Sequence, residues 1–247
     1  MTAAPTIGVT IEARMTSSRL PGKVLLEASG KPMLELMVER LKRATMIDKI
    51  VIATTTNDGD DPIEELAHRL NIGVHRGSEH DVLNRVLGAA QNHDIDVIVE
   101  LTGDCPLIDP SLIDDCIAAY RRSGVDYCSN ILTRAYPIGM DTQVFSTAVL
   151  ADVAQRTDDP DDHEHVSLFI YRHPEIYSLN NVPAPDDMTW PDLRLTLDTP
   201  EDFELILAVF DNFYETNPAF GLSDILAYLK SNPGLVALNE NIAHRYV

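Results

Sequence analysis

Short apolar runs alternate along the chain with longer segments of helical periodicity. Residues 6–11, 48–55 and 96–103 are nearly continuous apolar runs, typical of strands that are buried on both faces of a parallel sheet. Between them, apolar residues recur every three or four positions, as in 31–44 and 60–71, which predicts amphipathic helices. This order of strands and helices predicts an α/β fold, with a parallel sheet covered by helices on both faces.

The same alternation continues through the first half of the chain. Residues 78–93 have a helical pattern for which Ser78 is the expected N-cap, and residues 109–124 have another. A short stretch at 125–128 predicts one more strand. We therefore expect a Rossmann-like core of three layers, α/β/α.

Beyond about residue 130 the pattern becomes less regular. Residues 136–146 resemble an extended segment with a glycine bend, and residues 193–215 predict a strand followed by a long helix. No internal repeat and no low-complexity linker separates this part from the rest. We predict one domain, residues 1–247, from which a β/α segment at about 134–190 projects.

Composition narrows the range of partners. The 247 residues include 19 Lys and Arg against 39 Asp and Glu, a formal net charge of −20. A nucleic-acid-binding protein needs a basic surface, so this balance argues against such a partner. Three irregularly spaced cysteines do not form a disulfide framework or a zinc site. No apolar stretch is long enough to span a bilayer, so we expect a cytoplasmic protein without a membrane segment.

A small basic loop follows the first predicted strand, in the stretch EARMTSSRLPGK at 12–23. In open α/β sheets, ligands bind beyond the carboxyl ends of the strands, so the loop is in the right place for a site. It matches neither the dinucleotide pattern G-x-G-x-x-G nor the pattern G-x-x-x-x-G-K-[ST]. Its cations and hydroxyls suit a polyphosphate. A solvated loop with scattered charges would have the same composition.

Two acids stand at the ends of later strands. Asp104 follows the buried run in ELTGDCPLID, and Asp198 precedes a helix that begins at Thr199-Pro200. Carboxylates beside bound phosphates are suitable ligands for Mg²⁺. Each acid also has an ordinary explanation, because Asp is common in turns and at helix starts. Two such acids together with a basic loop favour a phosphate site over separate explanations as turns, helix starts and a solvated loop.

Several of these stretches resemble the cytidylyltransferase family, which includes the acylneuraminate and 3-deoxy-manno-octulosonate enzymes. The similar stretches are IEARMTSSRLPGKVLL, GKPMLELMVERLKRA, KIVIATTTN, VHRGSEHDVLNRV, VIVELTGDCPLIDPSLID and LRLTLDTPEDFELI, in that order along most of the chain. Among the branches of the family, the similarity is strongest to the SpsF spore-coat polysaccharide biosynthesis proteins. The resemblance implies a nucleotidyltransferase core that moves CMP from CTP to a sugar acid or related acceptor, with release of pyrophosphate, in polysaccharide or glycoconjugate biosynthesis.

Matching positions transfer the family's roles to this chain. The resemblance implies that Arg14, Lys23 and Asp104 are catalytic and that Asp104 and Asp198 hold Mg²⁺. The residues that it implies for binding the nucleotide are Ala13, Arg14, Ser17, Arg19, Lys23, Arg76, Ser78, Arg85 and Asp104. In this mechanism an acceptor oxygen attacks the α-phosphorus directly, with no protein nucleophile.

The resemblance places the acceptor pocket and a homodimer contact in the segment at about 134–190 and just before it. The implied acceptor residues are Asn130, Arg134, Asp141, Gln143 and His165. In this branch we expect Glu at position 143, so the neutral Gln143 predicts an acceptor that differs from that of close relatives.

Two other classes of protein stay open on the residues alone. A glycosyltransferase with a nucleotide-sugar donor would need a D-x-D motif at a strand end, and the D-x-D strings, at 58–60, 94–96 and 159–161, lie at unsuitable places. A non-catalytic nucleotide-binding protein would have lost part of the loop or one of the acids. The acidic run DDPDDHEH at 158–165 resembles a metal cluster, although such runs more often form solvated helix starts.

Overall fold

A computed structural model of the chain describes residues 4–243. Its strands alternate with helices, as the apolar periodicity predicts. The strands are β1 (Ile7–Glu12), β2 (Glu27–Ala28), β3 (Lys31–Pro32), β4 (Lys49–Thr55), β5 (Gly73–Gly77), β6 (Val97–Thr102), β7 (Tyr127–Ser129), β8 (Gln143–Ser146) and β9 (Leu179–Asn181). The helices are α1 (Met33–Leu41), α2 (Asp61–Leu70), α3 (Val82–Asn92), α4 (Pro110–Ser123), α5 (Thr147–Arg156), α6 (Pro160–Glu164), α7 (Leu168–Arg172), α8 (Pro200–Phe213), α9 (Leu222–Ser231) and α10 (Pro233–Val236).

Seven strands form one sheet in the order β5-β4-β1-β6-β8-β7-β9, and β2 and β3 form a separate hairpin. All neighbouring pairs in the large sheet are parallel except those of β8, which runs antiparallel to β6 and to β7. Strand order reverses at β1, because β4 lies on one side of it and β6 on the other. Such a switch point opens a crevice at the carboxyl ends of the two central strands, β1 and β6.

Helices cover both faces of this sheet, which confirms the α/β fold with a Rossmann-like core. On one face, Ile7, Val9 and Ile11 of β1 pack with α1, α2 and α4. On the other face, α3 and α5 pack against β4, β6 and β8. A third apolar cluster joins α8 and α9 to the loop before α8. Because side chains alternate along a strand, Thr10 and Glu12 point towards the α3 face.

Three local predictions need correction. Helix α3 begins four residues later than expected, and its N-cap is Asp81, whose carboxylate accepts from the backbone N–H of Asn84 at 3.0 Å. The Ser78 hydroxyl instead accepts from the N–H groups of His80 and Asp81, so Ser78 closes a turn before the helix. Residues 193–198, predicted as a strand, and residues 136–142 do not join a sheet, apart from one bridge between Ile138 and Arg194.

The segment at about 134–190 contributes to the main sheet as well as to its surroundings. Strand β8 lies between β6 and β7, and β9 adds an outer strand beside β7. Helices α5, α6 and α7 connect these two strands. The segment therefore reaches the crevice from within the sheet, where Gln143, the first residue of β8, pairs with Glu100 of β6.

Candidate active site

The basic loop leaves β1 and bends back on itself at the carboxyl edge of the sheet. The carbonyl of Met15 accepts from the N–H groups of Ser17 and Gly22, both at 3.0 Å, which closes the loop. The N–H of Met15 donates to the carboxylate of Asp60 at 2.7 Å. Asp60 is only 1% exposed and also accepts from Thr55, so it fixes the loop to the end of β4. Sequence reasoning overlooked this role of Asp60, which closes the D-x-D string at 58–60.

One ammonium group joins the loop to both strand-end acids. Lys23 Nζ donates to Asp104 Oδ2 at 2.7 Å and to Asp198 Oδ1 at 2.8 Å. Arg19 pairs with the other oxygen of Asp198 at 2.9 Å. Three segments that are far apart in sequence therefore meet at one point, where the sequence predicted a phosphate and metal site.

The charges at this point influence one another. Burial alone would lower the pKa of Lys23, but the charges of Asp104 and Asp198 outweigh that effect and raise its pKa. Burial would likewise raise the pKa of Asp104, yet the charge and the hydrogen bond of Lys23 keep that pKa below its ordinary value. Lys23 and Asp104 are therefore both ionised at neutral pH, as a centre that binds phosphates requires.

A buried network holds Asp198 in place. The carboxylate of Asp202 is fully buried and accepts from the N–H groups of Asp198 and Thr199 at 3.0 and 3.1 Å, which forms a capping box at the start of α8. Arg194 pairs with Asp202 at 3.0 Å and approaches Asp198 at 3.5 Å. The N–H of Leu197 donates to the carbonyl of Asp104 at 2.7 Å, which fixes the two acids relative to each other. Asp202 is thus a positioning residue.

Two adjoining cavities lie at this edge of the sheet. The first cavity, of about 320 Å³, lies over the basic loop. The predicted site residues that line the first cavity are Ala13, Arg14, Ser17, Arg19, Lys23, Arg85, Asp104, His165 and Asp198. Arg85 is 3% exposed, and its Nε is buried without a hydrogen-bond partner among the described residues.

The second cavity, of about 740 Å³, extends from the first towards β8 and α6. The predicted acceptor residues that line it are Arg134, Asp141, Gln143 and His165. Arg134 and Asp141 pair through two hydrogen bonds of 2.9 and 2.8 Å. Four residues line both cavities and mark their junction: Glu12, Thr102, Glu164 and His165.

Three predicted site residues are not brought to the walls of these two cavities. Arg76 pairs with Asp61 and Glu64 at 2.6 and 2.7 Å, on the side of β5. Ser78 closes the turn before α3, as described above. Asn130 is 2% exposed, and its amide links the backbone of Met140 and Thr142, which shapes the acceptor side without facing the cavity.

Sequence reasoning missed a pair of carboxyl groups at the junction. Glu12 and Glu100 lie on the same face of β1 and β6, in diagonal positions, and their side chains share a hydrogen bond. Two carboxylates cannot share a hydrogen bond unless one holds a proton. Glu100 also accepts from the amide of Gln143, whose own oxygen accepts from Tyr127 Oη at 2.5 Å and from the Ser167 hydroxyl.

Burial determines which form this pair takes. It raises the pKa of Glu100 well above its ordinary range, and the charge of Glu12 raises it further. Burial also raises the pKa of Glu12, while the hydrogen bond from Glu100 and the charge of Arg85 oppose the rise. Glu100 is therefore the protonated partner that donates to Glu12. An acid within an apolar strand is the signal that could have identified both residues.

Comparison with known proteins identifies the family. The family model described as Cytidylyltransferase matches residues 9–225. The chain belongs to the cytidylyltransferase family. The spore coat polysaccharide biosynthesis protein SpsF of Bacillus subtilis is 36% identical over 235 residues, which are 93% of this chain and 96% of that protein. The 3-deoxy-manno-octulosonate cytidylyltransferase of Geobacter metallireducens is 29% identical over 188 residues, 66% of this chain and 73% of that enzyme.

A solved structure agrees with this assignment. A cytidylyltransferase from Leptospira borgpetersenii superposes with a TM-score of 0.88 at 31% identity, and the match covers 98% of this chain and all of that one. As a member of the cytidylyltransferase family, the chain is a CTP-dependent nucleotidyltransferase, which confirms what the sequence resemblance implied. None of the helices in residues 4–243 combines the length and apolar character that crossing a membrane requires.

The acidic run of this cytidylyltransferase does not gather metal ligands. His163 Nδ1 bonds to Asp81 at 2.8 Å, and its Nε2 bonds to the carbonyl of Thr157 at 3.0 Å. Both partners can only accept, so both ring nitrogens must donate and the ring is an imidazolium. The hydrogen bond to Asp81 raises the pKa of His163 accordingly. Within residues 4–243, no group of three or more His, Cys, Asp or Glu side chains is arranged to hold a metal ion.

We expect the cytidylyltransferase to lose stability through Glu100 as the pH rises. A carboxyl group whose pKa is raised on folding contributes stability below its unfolded pKa of about 4.3 and loses it as the pH rises through the folded pKa. Glu100→Gln keeps a hydrogen-bond donor for Glu12 and removes the titration. Urea unfolding from pH 5 to 9 should show wild type losing stability relative to Glu100→Gln, by about 1.4 kcal/mol for each unit of pKa shift traversed. Parallel curves for the two proteins would refute the protonated pair.

Proposed function

We propose that the protein transfers CMP from CTP to a sugar acid or related acceptor and releases pyrophosphate, as a step in the synthesis of a surface polysaccharide or glycoconjugate. The observation that carries the proposal is the meeting of the basic loop with Asp104 and Asp198 at the switch point, beside a second and larger cavity. The similarity to SpsF and to the 3-deoxy-manno-octulosonate enzyme supports the class of acceptor and its use.

The first cavity suits the triphosphate of CTP. Arg14, Arg19 and Lys23 line it, together with the hydroxyl-bearing Ser17 and Ser18. Guanidinium groups engage phosphate oxygens in pairs, whereas an ammonium acts as a compact charge. These cations would neutralise the charge that collects on pyrophosphate as it leaves. Arg85 adds a further cationic side chain to the lining of this cavity.

Asp104 and Asp198 fit a divalent cation, and we propose Mg²⁺. Two carboxylate oxygens converge on Lys23 Nζ from 2.7 and 2.8 Å, so they face one common point. Hard cations prefer oxygen ligands, and Mg²⁺ in nucleotide enzymes is typically held by one or two carboxylates together with substrate phosphates. Bound there, Mg²⁺ would supply positive charge to the phosphates.

The residues at the junction define how the reaction would run. A hydroxyl of the acceptor, held in the second cavity, attacks the α-phosphorus of CTP, and pyrophosphate departs on the opposite side. No protein nucleophile is needed: Cys105 is buried, and burial raises the pKa of its thiol well above the ordinary range. Positioning of the two substrates and neutralisation of charge would supply most of the rate enhancement.

The second cavity carries more acid than base, which bears on the acceptor. Its lining includes the carboxyl groups of Glu12, Glu100, Asp141, Glu164 and Asp192. One arginine, Arg134, lines it as well and is paired with Asp141. Such a wall can accept hydrogen bonds from hydroxyl or ammonium groups, but it offers few partners to an additional negative charge. We propose an acceptor rich in hydroxyl groups, with its carboxylate directed towards Arg134.

The decisive experiment offers the protein CTP, Mg²⁺ and a set of acceptors and follows pyrophosphate. The set contains 3-deoxy-manno-octulosonate, an analogue with an amino group in place of one hydroxyl, and neutral sugars. We expect turnover with CTP to exceed that with UTP, ATP and GTP by at least about tenfold, because the chain belongs to the cytidylyltransferase family, and a site adapted to cytosine would exclude purines and hydrogen-bond the edge at which uracil differs. Better use of UTP or ATP would contradict the proposal, as would hydrolysis of a nucleotide sugar without any CTP-dependent product.

The metal assignment has its own test. Asp104→Asn and Asp198→Asn should each lower kcat at least about 10²-fold, because the cation loses a carboxylate and the phosphates lose charge neutralisation. Glu201→Gln removes an exposed acid of α8 that lines neither cavity and is the matched control. Turnover measured across a Mg²⁺ titration, with circular dichroism to verify folding, gives the result. Near-normal turnover of either variant at subsaturating Mg²⁺ would remove that residue from the metal site.

We also propose a homodimer that forms through the segment at about 134–190. Strand β9 is one of the two edge strands of the sheet and has only three residues, and Ile176 before it is 41% exposed. An uncovered strand edge tends to acquire a partner, and a two-fold interface would use the same patch twice. Light scattering at micromolar concentration should give twice the 27.4 kDa chain mass. A fully active protein of single-chain mass would show that dimerisation is not required.

A further inference from the structure

One ion pair joins the short helix α6 to the start of α3, next to residues that line the junction of the two cavities. His163 of α6 bonds through Nδ1 to the carboxylate of Asp81 at 2.8 Å, and α6 packs against α3. The side chain of His163 is only 17% exposed, and that of Asp81 is 34% exposed. The pair has no part in the reaction described above.

This contact is complete only while the ring carries both of its protons. Nδ1 faces the carboxylate of Asp81 and Nε2 faces the carbonyl of Thr157, so loss of either proton sets a ring lone pair against an oxygen lone pair. Burial would raise the pKa of Asp81, but hydrogen bonds from Asn84 and His163 lower it, so Asp81 is a carboxylate at neutral pH. Asp158, in the loop before α6, adds a second negative charge that favours the imidazolium.

Both partners of the ion pair adjoin residues that line the cavities. On the α6 side, Glu164 and His165 directly follow His163 and line both cavities. On the α3 side, Val82 directly follows Asp81 and lines the first cavity. The ion pair therefore connects two walls of the junction.

The hydrogen bonds within α6 do not provide this connection. Thr157 Oγ1 donates to the carboxylate of Asp162 at 2.7 Å, and the carboxylate of Asp159 accepts from the N–H of Asp161 at 2.9 Å. These bonds shape a helix of five residues, a length that backbone hydrogen bonds alone do not stabilise. The bond between His163 and Asp81 is what attaches this helix to α3.

We propose that His163 is a positioning residue, whose imidazolium, paired with Asp81, holds Glu164 and His165 beside the start of α3 and so sets the shape of the junction. This inference rests on the proposed function for the acceptor side. When the ring becomes neutral, α6 separates from α3 and the acceptor binds less tightly, whereas the phosphate loop still holds the nucleotide. The attachment is complete below the ordinary pKa of histidine, about 6.5, and is lost as the pH rises through the higher pKa that His163 has in the folded protein.

Amide hydrogen exchange tests the attachment without any substrate. His163→Gln removes the cation. His80→Gln is the matched control, because it removes an exposed histidine from the turn before α3 that lines neither cavity. The N–H of His165, which donates to the carbonyl of Asp161 at 2.9 Å, reports on α6. Dividing the exchange rate of each variant by that of wild type at the same pH removes the intrinsic effect of pH on exchange.

For His163→Gln we expect a rate ratio of about fivefold at pH 5.5 that falls towards one by pH 8.5, because a hydrogen bond between charged groups is lost in the variant at low pH and in both proteins at high pH. The ratio for His80→Gln should stay near one throughout. A His163→Gln ratio that is near one at pH 5.5, or that does not change with pH, would refute the proposal.

Asp81→Asn tests the other partner of the pair. Asn caps helices as well as Asp does, so this variant keeps the N-cap of α3 and removes only the negative charge. It should accelerate exchange as His163→Gln does, and the double variant should lose no more than either single variant. Additive losses would show that the two residues act separately and would contradict the proposal.

Steady-state kinetics then test the positioning role, with an acceptor from the set above that supports pyrophosphate release. At pH 5.5, His163→Gln should raise KM for the acceptor about fivefold and change KM for CTP by less than about twofold, and the difference from wild type should vanish by pH 8.5. A pH dependence that persists in the variant belongs to other groups, such as His165. Equal acceptor KM values at pH 5.5 would overturn the positioning role. If no acceptor turns over, the proposed function fails, and the exchange ratio alone decides whether His163 holds α6.

Discussion

The ammonium group of Lys23 is the interaction on which the active-site edge depends. It holds Asp104 and Asp198 at 2.7 and 2.8 Å and so joins the loop after β1, the turn after β6 and the start of α8. Each of these groups would be a poorly compensated charge without the others. The arrangement requires the parallel strands β1 and β6 to end side by side at the same edge of the sheet. Their apolar residues pack under α1, α2 and α4 and hold the two strands in this alignment. Asp60 and Asp202 then fix the loop and the start of α8, so the charges meet in one geometry.

Much of the fold and of the candidate site could be predicted from the sequence, for physical reasons. Buried parallel strands have to be apolar along their length, and the helices between them have to be amphipathic. The spacing of apolar residues along the chain therefore predicts the α/β fold. The basic loop and the two acids stand at strand ends, where parallel strands bring distant residues together. Glu12 and Glu100 were not predicted as site residues, because an acid in a strand usually indicates a position that faces solvent. Only the pairing of β1 with β6 shows that these two acids face each other. Arg76 and Ser78 lie away from the walls of both cavities, because adjacency in a motif does not say which way a side chain points.

Position 143 shows how the acceptor side differs from expectation. The family branch suggested Glu, and the chain has Gln, whose amide donates to Glu100 while its oxygen accepts from Tyr127 and Ser167. A carboxylate there would have no proton to give and would face the Glu12–Glu100 pair directly. The amide therefore allows two carboxyl groups to share one proton at the junction of the cavities. Gln143, Glu100 and Glu12 therefore form one hydrogen-bonded network, and this network determines the polar chemistry of the second cavity where it meets the first.

Strand β8 lies between β6 and β7 and presents its first residue, Gln143, to the acceptor side. The residues that face the acceptor are consequently part of the main sheet and do not form a separate domain that could be exchanged. Transplanting the corresponding segment from a relative would break two hydrogen-bonded ladders at once, and the sheet would have to re-form around a foreign strand. Diversification of such an enzyme should proceed by single replacements among residues that face the cavity, with the backbone inherited unchanged. An engineer who seeks a new acceptor has the same small set of positions to work with.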